Sequence, residues 1–280
     1  MIIKKLTVLV LVFFFLSEAH SESYITEDIK FDSHNDTLSG TIVLPKNKPI
    51  HSAVVFVHGS GEQTRNIYWA EQFASQGIAA LVYDKRGVGD SGGIYEGNQS
   101  VSEKNINLLA DDSIAALNLL HKHSRIKNVP LGLTGISQAG WIVPVAAANT
   151  NIVNFIALWS APVCKVSEED IFSKYTADLD ATAIPTFQEA LDARKTKYIW
   201  PDFLGIDTDS SEVLSKLEIP GFWVFGENDG SVPVDLSIQK LKTLKSVGHS
   251  YDYALFSSLG HNNMQETFTT VTDWIKRLPN

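Results

Sequence analysis

An α/β fold, with a mostly parallel central sheet and helices on both faces, is predicted by three observations. Strand-length apolar runs alternate with helix-length segments along most of the chain. The run Leu131-Gly-Leu-Thr-Gly-Ile-Ser-Gln-Ala-Gly140 reads as a buried strand that enters a sharp turn and opens a helix. Three further apolar runs, Ala53-Val-Val-Phe-Val-His-Gly-Ser-Gly61, Phe222-Trp-Val-Phe-Gly-Glu-Asn-Asp229 and Tyr253-Ala-Leu-Phe-Ser-Ser-Leu-Gly-His261, end in turns that carry polar residues.

Taken in order, residues 24–31 and 38–44 read as a strand pair around the turn-rich Asp32-Ser-His-Asn-Asp36, giving the sheet an antiparallel start. A strand at 54–57 follows, then helix 67–75, strand 78–83, helix 106–123, strand 131–134 and helix 142–148. Ile106, Leu109, Ala110, Ser113, Ile114, Leu117 and Leu120 recur at helical spacing, so that stripe belongs to the core. After the apolar run 155–162, residues 163–217 change composition: they are acidic, aromatic and helix-prone. A connection this long carries its own structure. It is expected to be a small helical cap insertion, with Phe172, Tyr175, Phe187, Tyr198 and Trp200 as candidate pocket walls and Trp200-Pro-Asp-Phe203 as a candidate rim. The plain alternative is a peripheral helical excursion that stabilises the sheet.

The chemistry starts at Ser137. A serine hydroxyl is a poor nucleophile at neutral pH, so a useful one must face a base while a neighbouring N–H faces the developing oxyanion. Small neighbours allow that turn, and Gly135, Ala139 and Gly140 supply them. Taken alone, the run is equally a glycine-rich turn with a capping serine. The later turns shift the balance, because an acid (Asp229) and then a histidine (His261) follow in chain order. Of the other histidines, His58 sits in the glycine loop, His249 precedes a strand, and His121 and His123 end a polar-faced helix, where solvent and the helix terminus explain them. Glu227 and Asp235 flank Asp229, whose place after strand and turn favours it as the acid.

With these residues in view, the chain from about Tyr24 onward resembles the α/β-hydrolase superfamily. Tyr83-Asp-Lys-Arg-Gly-Val-Gly-Asp-Ser91 is similar to its D-x-R-G-x-G-x-S segment, and Gly226-Glu-Asn-Asp-Gly-Ser-Val-Pro233 to its acid loop. The elbow Ser137-Gln-Ala-Gly-Trp141 resembles that of the serine aminopeptidase-like and dienelactone hydrolase-like esterases, with Ala139 where a glycine is usual. The resemblance implies a Ser137–His261–Asp229 triad, an acyl-enzyme intermediate, and an oxyanion hole from the backbone N–H groups of Ser60 and Gln138. It also places a helical cap at 163–217 and gives His58 a supporting role in its loop. The implied reaction is hydrolysis of a carboxylic ester. A serine peptidase or aminopeptidase is the alternative, which an exposed cap acid such as Glu168, Glu169 or Asp170 would favour by holding a substrate amine. A non-catalytic binding protein on this scaffold is the third reading, disfavoured by the intact residue set.

Composition bounds these readings. With 280 residues, 44% of them hydrophobic, the chain is long enough for one large core. A formal charge of −9 without a basic stripe argues against nucleic acid. No His/Cys/Asp/Glu grouping has metal-ligand spacing and no G-x-G-x-x-G opens a helix after a strand, so no metal or cofactor is expected. The expected partner is a small-molecule ester or short peptide. Residues 1–21 combine a basic start with an apolar stretch of signal-peptide length, predicting export to a periplasmic or extracellular location. Cleavage is expected after Ala19 or Ser21, leaving residues 22–280 as the hydrolase domain without stable membrane insertion. An uncleaved anchor is the alternative. Cys164 is the only cysteine, so the monomer needs no internal disulfide.

Overall fold

The computed structural model describes residues 23–97 and 100–279; the predicted signal segment lies outside them. The strands are β1 (Tyr24–Ser33), β2 (Asp36–Pro45), β3 (Ser52–Val57), β4 (Ile78–Tyr83), β5 (Leu131–Ile136), β6 (Phe155–Trp159), β7 (Gly221–Gly226) and β8 (Tyr251–Phe256). They form one eight-stranded sheet in the order β1-β2-β4-β3-β5-β6-β7-β8. The pairs β1/β2 and β2/β4 are antiparallel, and every other pair is parallel.

Alternation along the strands divides the core between two faces. Ala53, Val55 and Val57 of β3 point one way, toward α2 (Glu103–His121), α3 (Ala139–Ala148) and α7 (Val234–Ser246). Val54 and Phe56 point the other way, toward α1 (Ile67–Ser75) and α8 (Met264–Lys276). Each fully buried side chain of this size contributes about 1.5–3 kcal/mol, so a charge at Val55 would be expected to disrupt the sheet. The predicted stripe on α2 is buried except for Ile114, which is half-buried.

Helix starts are set by caps that apolar periodicity does not reveal. The Asn66 side chain accepts from Trp69 N to start α1, as expected at 67, whereas Ser102 accepts from Asn105 N and starts α2 before the expected 106. Helix α3 begins at Ala139, directly behind the turn, and β5 continues to Ile136. His123 lies beyond α2 and its Nε2 meets a Glu27 oxygen at 3.1 Å, so a hydrogen bond to β1 holds it, in place of the expected helix terminus.

Between β6 and β7 lies a helical excursion containing α4 (Val166–Thr176), α5 (Phe187–Asp192), a 3-10 turn (Asp202–Leu204) and α6 (Ser210–Leu214). A bridge between Lys165 and Asp209 closes its base. Trp141 Nε1 donates to Cys164 O at 2.8 Å, tying its first residues to α3. No helix among the described residues is long and apolar enough to cross a membrane.

Candidate active site

The turn after β5 places Ser137 at φ 56°, a left-handed conformation that is uncommon for a side chain larger than glycine. Two glycines make room for it. A Cβ on Gly135 would lie 2.4 Å from Val57 O and 2.6 Å from Ala139 Cβ, and one on Gly140 would lie 2.6 Å from Pro162 Cδ. Ala139 is therefore tolerated because Gly135 gives way opposite it. Ser137 N donates to Trp159 O at 3.0 Å, which pins the turn to the end of β6.

At the ends of β7 and β8, Asp229 and His261 meet. His261 Nδ1 lies 2.9 and 3.0 Å from the two Asp229 oxygens. A carboxylate accepts only, so Nδ1 carries a proton, and in the neutral ring Nε2 keeps its lone pair. Asp229 is fully buried, and its Oδ1 also accepts from Ser231 N and Val232 N. Burial by itself would lower the His261 pKa; the hydrogen bond and charge of Asp229, with the charges of Asp180 and Asp178, outweigh it and raise the pKa above its ordinary value. Glu227 is exposed, and Asp235 accepts from Phe187 N, so neither flanking acid takes this place.

The two loops are stitched together by groups that sequence reading missed. Asp180, which follows α4, accepts from His261 N through Oδ2 and from Gly230 N through Oδ1, both at 3.0 Å. Around it, Ala181 N donates to Asn228 O, and Thr176 Oγ1 donates to Gly230 O. A Cβ on Gly260 would fall 1.9 Å from Asp180 Oδ2, and one on Gly230 would fall 2.1 Å from Leu179 O, so the strap formed by residues 176–181 fits only over glycine. Ala177 and Asp178 are both left-handed at φ 57°. From beneath, Ser160 Oγ donates to His261 O at 2.7 Å, and Asn263 Nδ2 donates to Ser160 Oγ at 2.8 Å. The end of β6 thus touches both the serine turn and the histidine loop.

Gln138 is fully buried and Ser60 is exposed on the loop after β3. His58 is buried, with Nε2 donating to Tyr83 O; burial and then the Lys85 cation push its pKa down to about 4, so it stays neutral. Lys85 reaches the same loop: Nζ donates to Gly59 O at 2.8 Å, Gly61 O at 3.1 Å and Gln138 Oε1 at 3.0 Å.

A cavity of about 520 Å³ adjoins Ile136 and Asn262, the neighbours of Ser137 and His261. Phe56, Trp69, Val82 and Met264 give it apolar walls, and Glu62, Gln63 and Gln265 polar ones. None of the five aromatics expected as pocket walls lines it. Phe172 is fully buried, Tyr175 is half exposed, Phe187 N is bound to Asp235, Tyr198 Oη donates to Asp170 and Trp200 Nε1 donates to Gly205 O while its ring packs on the core. Of the expected rim, Phe203 is exposed. The acids of the excursion are also mostly committed: Glu168 binds Lys240 and Lys165 N, and Asp170 binds Lys174 and Tyr198. Glu169 is half-buried, and burial together with the charges of Asp178, Asp170 and Asp229 pushes its pKa up to about 8. Among the described residues no cluster of three or more His, Cys, Asp or Glu is set to hold a metal ion.

Comparison with known proteins fits this geometry. The profile of a family described as serine aminopeptidase, S33, matches residues 48–200. The quorum-quenching protein AidA of Acinetobacter baumannii is 30% identical over 126 residues, 44% of this chain and 40% of that protein, so the chain spans well under half the length of this relative. An esterase of Pyrococcus furiosus superposes with a TM-score of 0.66 at 19% identity, covering 92% of this chain and 94% of that one. A Pyrococcus horikoshii acylaminoacyl peptidase gives 0.66 at 16% identity, covering 92% of this chain and 43% of that one. The acetyl xylan esterase of Paenibacillus sp. R4 gives 0.65 at 16% identity, covering 94% and 87%.

Proposed function

The chain belongs to the serine aminopeptidase S33 family of α/β-hydrolases, and from that premise we propose that it hydrolyses carboxylic esters through Ser137, His261 and Asp229. The observation that carries the reading is the orientation of His261: Nδ1 is bound to a buried carboxylate, which leaves Nε2 for the role of base, and one cavity is lined by both Ile136 before the serine turn and Asn262 after the histidine. In the first half-reaction Ser137 Oγ attacks the ester carbonyl and its proton passes to Nε2. Asp229 stabilises the imidazolium that forms. The carbonyl oxygen becomes an oxyanion facing the N–H groups of Ser60 and Gln138. Collapse of the tetrahedral species breaks the bond to the alcohol, which takes the proton from His261. Water, activated by the same imidazole, then releases the acid. The cavity walled by Trp69 and Phe56 would hold one side of the ester.

A second reading, an aminopeptidase, is favoured by Glu169. Its carboxyl feels three neighbouring acids, with Lys174 as the opposing cation, so a substrate ammonium there would relieve the repulsion. In either case residues 163–217 act as a cap whose strap, formed by residues 176–181, bears on the acid and histidine loops. We also propose export, with a mature protein starting near His20 or Glu22. Mass measurement of the N-terminus in the native host checks it, and an intact Met1 would contradict it.

Labelling with a fluorophosphonate probe, followed by turnover of p-nitrophenyl esters and aminoacyl amides, tests the main reading. The expected result is labelling that Ser137→Ala abolishes, with esters turned over faster than amides. Labelling retained on another serine would move the nucleophile, and amides outpacing esters would select the peptidase.

A further inference from the structure

We propose that Lys85 is a positioning residue for the oxyanion site, holding the loop after β3 so that the Ser60 N–H points toward the substrate. This rests on the reading of Ser137, Ser60 and Gln138 given above, and asks which group sets the direction of the donors.

Lys85 is 1% exposed, yet it carries an ammonium at the bottom of the site. An ammonium has three donors, and Gly59 O, Gly61 O and the Gln138 side chain take all three. Among the described residues no carboxylate lies within ion-pair distance of it; the neighbouring Asp84 is bound to Arg65. A buried cation without a carboxylate costs stability, even with the Tyr95 ring 5.7 Å from Nζ, and burial pushes the Lys85 pKa down to about 8. An apolar side chain would fill the same space without that cost.

The geometry supplies the return. All peptide bonds described are trans, and in a trans peptide the C=O and the following N–H point in opposite directions. Drawing Gly59 O down onto Nζ therefore turns the Ser60 N–H up and away from Lys85. The same grip on Gly61 O turns the Glu62 N–H. Each carbonyl bound to a cation is polarised, which strengthens the donor at the other end of its peptide. The third bond reaches Gln138, whose backbone N–H is the second proposed donor, and Gln138 Nε2 is fixed in turn on Ser100 O at 2.7 Å. Two more ties come from the same stretch of chain: Lys85 N donates to Gln63 O, and His58 Nε2 donates to Tyr83 O. One side chain thus joins both donor-bearing segments, which follow different strands.

The test uses Lys85→Met, which keeps length and burial, and Lys85→Gln, which keeps polarity without charge. Ser137→Ala runs in parallel, and melting temperature, kcat and KM are measured on one p-nitrophenyl ester. A donor that acts in the transition state is lost from kcat, so the expected result is a fall of roughly 10- to 100-fold in kcat with KM within about threefold of wild type. Affinity for a trifluoromethyl ketone, which forms a tetrahedral adduct, should fall in parallel, while the melting temperature of the Met variant should hold or rise. If Met does not fold, Gln is judged by the same split. A folded variant with kcat within about threefold of wild type, a loss confined to KM, or unchanged ketone affinity would overturn the proposal. Should Ser137→Ala stay active, the active-site reading itself fails; should it be dead while Lys85→Met is fully active, only the role of Lys85 fails.

Discussion

The two halves of the site are held from opposite directions. The half that would face the oxyanion is fastened from within the sheet, where Lys85 at the end of β4 grips the loop after β3 and the residue after Ser137. The half that would move protons is fastened from outside, where Asp180 on the excursion between β6 and β7 clamps the loops of Asp229 and His261. The first fastening is a buried charge that costs stability. The second is a carboxylate on a strap with two left-handed residues, lying on glycines. Rigidity at the oxyanion is thus built into the core, while the alignment of acid and base depends on how the excursion is seated.

The largest effect should come where both halves converge. Ser137→Ala and His261→Ala are each expected to lower kcat by roughly 10⁴-fold or more, and Asp229→Asn somewhat less, because such residues act as a unit. Ester turnover and probe labelling measure this, with melting temperature as the check on folding. If Asp229→Asn were nearly silent while Glu227→Gln was crippling, the acid would have to be reassigned.

Next comes the outer clamp. Asp180→Ala should cost roughly 10- to 100-fold in kcat by letting the two loops drift. Asp180→Asn should also move the pH profile. The charge of Asp180 helps raise the His261 pKa; without it the imidazolium is less stable, the pKa falls, and the base is available at lower pH. The acid limb of kcat/KM should therefore shift downward, whereas in the wild type it should lie above the ordinary histidine value. An unmoved limb would show that the clamp is mechanical only. Gly260→Ala, which drives a methyl into Asp180, should reproduce the loss of turnover with a smaller loss of melting temperature than Gly132→Ala, whose methyl would meet the Phe155 ring at 2.2 Å in the core.

The smallest effect concerns specificity. Trp69→Ala enlarges the cavity beside Ser137 and should alter the ratio of activities on short and longer acyl esters, at about 1–3 kcal/mol per methylene. Trp200→Ala, whose ring packs against the core, should lower melting temperature and leave that ratio constant. The reverse pattern would return the pocket to the excursion.

What could be read from the sequence follows the same division. The sheet, the serine turn and the strand ends were legible because each is encoded in a contiguous run, with apolar strand, small residues and polar tip in order. Asp180 was not, since its partners Gly230 and His261 lie on other loops and its own neighbourhood looks like any acidic surface. Lys85 sat inside a quoted motif, but its meaning depends on three oxygens from distant positions. The aromatics of 163–217 misled for a physical reason: residues rich in ring surface are as useful for packing an excursion as for lining a pocket; Trp200 packs on the core and Tyr198 bonds to Asp170 within the excursion. Trp69 was read only as part of a helix, although its place in the first turn after the loop is the signal that could have found the pocket wall.

The strand order has a consequence for timing. From β5 the sheet grows outward in chain order through β6, β7 and β8, and His261 follows the last of these. Helix α8 then packs back onto α1, with Phe268 stacked on Trp69 and Tyr68 Oη donating to Gln265. Such distant pairing is slow, because loop closure must precede the contacts that reward it. A nascent chain that has made Ser137, the proposed nucleophile, has not yet made His261, the proposed base, so hydrolytic activity would appear only as folding closes. If Ser137 acts as proposed, it would stay chemically silent during synthesis, and the first turnover would report that the early and late parts of the polypeptide have met.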